Sequence, residues 1–512
     1  MNTRDIKTKK PWRRVMPIGY LGHGTFVGAN IPNAPDDNIT SRIVTQEDFL
    51  REYYPSGHAI NDPNVYPDIY REEIVPVYNN DGVQTDTQRK VYKEEVPRYA
   101  FAFQRVITTK QIVHLCGNDI QFEINKERPS AEEEKSFNAF REGWMDKDME
   151  VRFYELAKSV KITGDGAVVG YINNGKFGTM SLSFLNGDKL YPHYDSITGK
   201  LLYFARAYND YDEDGEIMVE WLEVWDDTNL YRYRRTGEAY KNTIDKILSF
   251  FNMEGYKKVY EKPHGFKSVP VAYHRDEDGA CWSASQDSID GYEMSFSQMA
   301  HNNQAYGEPI LVLQGEEVEA SHDISGSIKM LTMGSEDKAS YLSSQSASES
   351  YMRQLDTLYK MIYEQSFTVI PPELKAGDLP AAALKILYSP AYEKAVNDAA
   401  EYQQVLNDLV DIFAFGYGME AQMQRQFLAL PMKWWIKPYV HQNLSAIVSD
   451  LAIAVQNGFC SKQTASERIL EYTTVGEWER VMKEAKEQQE ADMLFEIRSK
   501  QQPQKDDNII KE

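Results

Sequence analysis

The sequence predicts an α+β fold organised around two long helices with a small β region between them. Three observations carry that expectation. First, apolar residues recur at helical spacing over 283–306 (Ile289, Tyr292, Phe296, Met299, Ala300) and over 346–367 (Tyr351, Met352, Leu355, Leu358, Tyr359, Ile362). Second, the stretch between them, 307–345, carries short apolar runs at 309–313 and 328–333, each closed by a glycine, and a third near Tyr341 and Leu342. Third, strand-like segments at 167–172, 179–184, 201–208, 217–225 and 231–235 are separated by Gly, Asp and Asn turns.

The remaining elements follow in chain order. Residues 1–98 read as irregular, apart from a short helix over 45–54 with Thr45 as its cap. Residues 99–115 form a buried helix ending at Gly117, and 119–124 alternate as a strand. One helical stretch runs over 130–158, anchored by Phe137, Phe140, Trp144, Met149, Phe153, Tyr154 and Leu156. The first long helix sets Asp287, Asp290, Glu293 and Gln298 opposite its apolar face, and Ser346 with Glu349 makes a capping box at the start of the second. At 1.5 Å per residue each is about 30 Å long. Paired prolines Pro371 and Pro372, then Gly377 and Pro380, forbid a continuous helix across the next loop. A long helical pattern follows to Phe413 with Pro390 inside it, so a kink is expected near Tyr388. Residues 434–438 read as extended, 443–457 and 461–472 as helices, 475–499 as a charged Glu/Lys/Gln-rich stretch and 501–512 as a disordered tail.

Composition narrows the function classes. The chain has 512 residues, too many for one ordinary core, and 42% of them are hydrophobic. Its net charge of −22 disfavours a protein that grips phosphates over its whole surface. Cys116, Cys281 and Cys460 are odd in number and far apart in sequence, which argues against a disulfide framework. No apolar run reaches membrane-spanning length, so no membrane partner is expected. The N-terminal basic residues, including Lys9, Lys10, Arg13 and Arg14, lack the apolar core of a signal peptide. They read as a solvated arm, or as a contact to DNA or to an acidic neighbouring subunit.

Motifs for chemistry are incomplete. Asp210, Asp212, Asp214 and Gly215 open like a calcium loop, but the twelfth position is Trp221 where a bidentate Glu is needed. A β-hairpin turn is the better reading. Gly22-His23-Gly24 and Gly164-Asp165-Gly166 lack the third glycine of a phosphate loop, with Val27 and Val169 standing there. The nine histidines show no zinc-binding pair, and no nucleophile elbow occurs. The expectation is therefore a non-enzyme with no catalytic residue, metal or cofactor.

The order of helix, small β region, helix, proline-flanked loop and kinked helix resembles the portal proteins of tailed double-stranded-DNA bacteriophages. The nearest local signature is Ser-Ile-Asp-Gly-Tyr-Glu-Met-Ser-Phe-Ser-Gln-Met-Ala-His-Asn-Asn at 288–303, running into Ile310-Leu311-Val312-Leu313-Gln314-Gly315. The close of the chain is also similar: Gly458-Phe459-Cys460-Ser461, then Thr464-Ala465, then Glu477-Trp478-Glu479-Arg480. The resemblance covers 99–489 and departs from the family mainly in the long irregular start. It implies a portal fold: the irregular N-terminal part of a wing (1–98), the wing itself (99–282), stem helices (283–306 and 346–367), a small α/β clip (307–345), a tunnel loop (368–380), a kinked wing helix (381–430), a helical crown (431–499) and a tail (500–512). It further implies a dodecameric ring at one capsid vertex of the virion, assembled in the host cytoplasm, through which double-stranded DNA passes without sequence readout during packaging and ejection. Terminase large subunit, head-completion or adaptor proteins, and major capsid and scaffold proteins are the implied partners. On this reading Glu373, Leu374, Lys375 and Asp378 lie in the tunnel loop facing DNA, and Glu316, Glu317 and Glu336 form an acidic docking rim on the clip. Two rivals remain: another virion protein of the head–tail connector, and a metal-dependent enzyme.

Overall fold

The computed structural model describes residues 12–16, 40–78, 84–211, 218–236, 255–306, 310–314, 319–322, 328–332, 338–342, 348–370, 383, 386–439, 444–469 and 477–500. Two compact units divide the chain, one of residues 1–371 with 390–439, the other of 372–389 with 440–512. Mixed helix and strand content makes the fold α+β, as the sequence predicts.

The first unit opens with paired strands β1 (Trp12–Met16) and β2 (Thr40–Val44), then helix α1 (Gln46–Tyr53). Thr45 caps α1 in a full capping box with Asp48. Next come β3 (Ile69–Tyr78) and β4 (Gln84–Glu94), a long antiparallel ribbon. This ribbon corrects the expectation of an irregular N-terminal region. Its polar and charged residues leave no clean two-residue alternation, so periodicity could not reveal it. Tyr70, Val91 and Tyr92 are among its exposed apolar residues.

Helix α2 (Phe103–Cys116) starts four residues later than expected and ends at Gly117. The helical stretch expected over 130–158 is two helices, α3 (Ala131–Asp146) and α4 (Met149–Thr163). The chain breaks at Asp148, whose φ of 52° lies in the left-handed region where a helix cannot continue. Gly164, at φ 80°, ends α4 and turns the chain into the next strand; this is the role of the Gly-Asp-Gly motif.

Strand β5 (Gln121–Ile124) does not join the later strands. It pairs with β18 (Met432–Trp435), some three hundred residues on. The expected single run of strands is also two sheets. One is three-stranded, β6 (Asp165–Asn173) between β7 (Lys176–Leu182) and β13 (Val271–Arg275). The other is an antiparallel five-stranded meander of β8 (Lys189–Tyr194), β9 (Leu201–Tyr211), β10 (Met218–Trp225), β11 (Asn229–Arg235) and β12 (Tyr256–Pro263). Asp210 pairs with Val219 across the β9–β10 hairpin, in keeping with a turn reading of the acidic run, although 212–217 lie outside the described residues.

Helix α5 (Gln286–Tyr306) and helix α6 (Ser348–Gln365) match the two long helices expected. The described part of 307–345 is four strands: β14 (Ile310–Gln314) pairs with β17 (Lys338–Leu342), and β15 (Glu319–His322) with β16 (Ile328–Thr332). An α/β clip was expected; among the described residues of this segment there is no helix.

A kink was expected near Tyr388: residues 386–387 are helical, Tyr388 is a turn, and helix α7 (Ser389–Glu420) begins after it with Pro390 in its first turn. A proline there loses no hydrogen bond, whereas deeper in the helix it would clash with a preceding carbonyl. Helix α8 (Gln424–Ala429) and β18 follow. The second unit holds α9 (Leu444–Gln456), α10 (Lys462–Arg468), capped by Ser461 as expected, and α11 (Glu477–Lys500). The expected tail over 501–512 lies outside the described residues.

The main core of the first unit is built on α7. Phe413 meets the rings of Phe140, Trp144 and Phe177 edge-on at centroid distances of 4.9, 5.2 and 5.9 Å. Gly143 lets α3 approach so closely that an added Cβ would lie 2.0 Å from the Tyr417 ring.

Candidate functional site: the rooted helical hairpin

A second core anchors the hairpin formed by α5 and α6. Val44, Phe49, Phe103, Ile107, Ile162, Trp282, Ile289, Ile362 and Tyr363 bury together, joining α1, α2 and α4 to the base of both long helices. Polar contacts set the register between α5 and α6. Ser285 Oγ donates to the Ile362 carbonyl at 2.9 Å, Ser288 Oγ to Gln365 Oε1 at 3.1 Å, and Gln354 Nε2 to Ser295 Oγ at 3.0 Å. The two helices thus lie side by side.

Glu293 overturns the expected polar face of α5. Its side chain is buried against the N-terminal region. His58 Nδ1 lies 2.7 Å from Glu293 Oε1, and His58 Nε2 lies 2.7 Å from the Glu52 carbonyl. Both ring nitrogens face acceptors, so the imidazolium satisfies the site best. Burial opposes that charge, but the hydrogen bond and negative charge of Glu293 outweigh it and hold the His58 pKa above its ordinary 6.5. The stabilisation is therefore complete below 6.5 and is lost as pH rises through the raised value. Glu293 Oε1 also accepts from the Phe101 N–H at 2.7 Å, and Ser297 Oγ accepts from the Tyr99 N–H at 3.0 Å. Sequence reading missed this root because His58 and Glu293 are 235 positions apart, and a glutamate on an amphipathic helix reads as solvated.

The outer side of the hairpin is different. On α6, Leu355 and Ile362 are buried, whereas Met352 and Tyr359 are 54% and 40% exposed. At 100° per residue, these two pairs lie about 60° apart around the helix axis. The apolar stripe is thus wider than the surface α5 covers.

A third feature lies beneath the hairpin. Lys161 on α4 and Asp398 on α7 form an ion pair of 2.7 Å with both side chains essentially inaccessible, and Lys394 reaches the second Asp398 oxygen at 2.7 Å. Nearby, burial pushes the His274 pKa down to about 4 and the Cys116 and Cys281 thiols up to about 12 and about 11. The thiols are thereby held protonated and poorly nucleophilic. Among the described residues, no group of three or more His, Cys, Asp and Glu side chains is placed to hold a metal ion. No described helix is long and apolar enough to cross a membrane.

Of the sequence-predicted site residues, Glu316, Glu317, Glu336, Glu373, Leu374, Lys375, Asp378, Lys9 and Lys10 lie outside the described residues. Arg13 and Arg14 lie on β1, opposite Ile43 and Arg42.

The hairpin is thus fixed at its root by buried contacts and leaves Met352 of α6 exposed. The chain belongs to the phage portal protein family of the SPP1 Gp6-like type, whose family model matches residues 35–493. Membership makes it a phage portal protein. No curated protein matches the sequence. Among solved structures, a chain from the neck of an empty GTA particle computed with C6 symmetry aligns at 10% identity with a TM-score of 0.37, covering 71% of this chain and 87% of that one. A chain from the virion of a native gene transfer agent (GTA) particle aligns at 11% identity with a TM-score of 0.33, covering 72% and 87%. Both scores are too low for these neighbours to add to the family match.

Proposed function

We propose that this chain is the repeating subunit of a ring at one capsid vertex, and that double-stranded DNA enters and leaves the head through the centre of that ring. The observation that supports this best is the exposed apolar flank of α6 beside its buried stripe. The same hairpin of a neighbour would cover that flank in a head-to-tail contact that closes, and the ring would then be walled by paired helices. In this reading 1–98 and 99–282 form the wing, 283–306 and 346–367 the stem, 307–345 the clip, 368–380 the tunnel loop, 381–430 a wing helix, 431–499 the crown and 500–512 a tail. Twelve copies make the ring. Terminase large subunit docks on the acidic clip rim of Glu316, Glu317 and Glu336 during packaging, and head-completion or adaptor proteins replace it afterwards. Major capsid and scaffold proteins surround the wing.

The tunnel loop sets Glu373, Leu374, Lys375 and Asp378 toward the axis. B-DNA carries about one phosphate charge per 1.7 Å of axis, so a ring of lysines meets many phosphates without reading bases. Glu373 and Asp378 outnumber Lys375, and the whole chain is acidic, so contact stays weak and DNA can move. The test is electron microscopy of the purified chain together with a packaging assay. Closed rings are expected, and Lys375→Ala rings should form normally yet package or retain DNA differently. A chain that stays monomeric at every concentration sinks the ring; wild-type behaviour of Lys375→Ala reduces the loop to a spacer.

A further inference from the structure

We propose that a single buried water molecule sits between α2 and α7 and holds the turn by which the chain leaves α6. A cavity of about 10 Å³ lies there, lined from α2 by Gln111, from the turn after α6 by Phe367 and Thr368, and from α7 by Ala391, Lys394 and Asp398. That volume is just enough to admit one water molecule, and it excludes any larger ligand.

Two buried oxygens on this lining lack a hydrogen-bond donor. Gln111 is 5% exposed; its Nε2 donates to the Ser366 carbonyl at 2.8 Å, and its Oε1 has no partner. Asp398 is fully enclosed, and its Oδ2 accepts from Lys161 Nζ at 2.7 Å. Its Oδ1 lies 2.7 Å from Lys394 Nζ, yet out of line for a hydrogen bond, so the charge is balanced while a lone pair stays open. Buried acceptors are normally satisfied, by ordered water where the protein supplies no donor. A water molecule donates two hydrogens, one for each of these oxygens, and its own oxygen can accept from the Lys394 ammonium. About three polar partners is the usual number for a buried water. An ion fits poorly. A cation would meet the ammonium groups of Lys110 and Lys394 on the lining, and an anion would meet the two acceptor oxygens.

The water's position gives it a task. Phe367 has a φ of 53°, in the left-handed region that a bulky side chain rarely adopts. Such a conformation persists where its neighbours over-determine it. Before it, Ser366 is held by Gln111 Nε2 and donates its own hydroxyl to the Ile362 carbonyl at 2.9 Å. After it, the Thr368 N–H donates to the Tyr363 carbonyl at 2.9 Å. Gln111 thus grips the turn with its nitrogen and the water with its oxygen. The water passes that hold to Asp398 and, through it, to Lys161 on α4. The exit of the hairpin is tied to the α7 core through one exchangeable molecule.

Two measurements on the full-length chain test this. A density map of the wild type, at a resolution that shows ordered water, should contain one peak in the cavity within hydrogen-bond distance of Gln111 Oε1 and Asp398 Oδ1. An empty cavity overturns the proposal. So does anomalous scattering there after a bromide soak, which would mark an anion site. The second measurement compares Ala391→Val with Ala391→Thr. Both side chains have the same shape and expel the water, but only threonine brings an O–H that replaces one of its bonds. Hydrogen exchange at the Phe367 and Thr368 amides should quicken at least about tenfold in Ala391→Val and clearly less in Ala391→Thr. Equal exchange in the two variants, or wild-type exchange in Ala391→Val, overturns the proposal. Every contact named lies within one subunit, so the result is independent of the proposed ring.

Discussion

Helices α6 and α7 are both long and apolar, yet they close their surfaces in opposite ways. On α7 the run Val405, Leu406, Leu409, Val410, Ile412, Phe413 and Ala414 is buried, contacting α3, α4 and their neighbours within one chain. Among the described residues of α6, Leu355, Ile362 and Tyr363 are buried, Tyr359 is 40% exposed while its ring meets Tyr292 and Phe103, and Met352 stands open. The stretch of α7 from Val405 to Ala414 is covered by the fold that carries it, whereas Tyr392, Val396 and Met419 toward its ends are exposed. Helix α6 is half finished, and the other half of its apolar surface is available for assembly. The difference teaches that α6 leaves part of its apolar stripe uncovered by its own chain, on a hairpin whose root is fixed by His58, Glu293 and Trp282.

Breaking the α7 side should have the largest effect. Asp398→Ala strands Lys161, a cation with no access to solvent, and removes the partner of Lys394. Leaving a buried charge uncompensated costs about 3–5 kcal/mol. Chemical denaturation should show that loss, and the double variant Lys161→Met/Asp398→Leu should recover most of it. A single variant as stable as wild type would remove the ion pair from the account of the core.

How much of this was legible in the sequence depended on whether the signal was local. Thr45 and Ser461 as caps, and the stripes of α5 and α6, could be read because a helix announces itself within a few residues. The β5–β18 pairing could not, since nothing in Phe122 or Trp434 names a partner three hundred residues away. Lys161–Asp398 and His58–Glu293 were hidden for the same reason. Pro390 was informative for the same local reason: helical residues lie on both sides of a turn at Tyr388, where a proline two positions on disfavours an unbroken helix. The residues chosen for the channel and clip rim came from family resemblance, which marks a loop by its order in the chain rather than by its contacts.

The α6 side should respond in assembly and hardly at all in folding. Met352→Glu puts a charge on the open flank, where the side chain already meets water. Exposed substitutions usually change stability by about 0.5 kcal/mol or less. Thermal unfolding of the monomer should stay near wild type while ring formation, followed by mass photometry, shifts to at least tenfold higher concentration. Unchanged assembly would mean that the open stripe is not a subunit contact. A large loss of monomer stability would mean that α6 is finished within its own chain, as α7 is.

The smallest expected effect sharpens the α7 side by pH. Glu150, at the start of α4, accepts from Trp144 Nε1 and from the Ile120 N–H through the same oxygen, both at 3.1 Å. Burial outweighs those two bonds and raises its pKa from 4.5 to about 7. The sign follows from the folded state holding the proton longer than the unfolded one. Stability from this group is complete below 4.5 and falls as pH rises toward about 7, above which the deficit is constant. Glu150→Gln keeps the shape and removes the titration. The difference in unfolding free energy between wild type and variant should therefore drift in favour of the variant across that interval and level off beyond it. His58 and His274 titrate in both proteins and cancel in the difference. A flat difference across the interval would show that water reaches Glu150 and that this end of the α7 core is as open as the flank of α6.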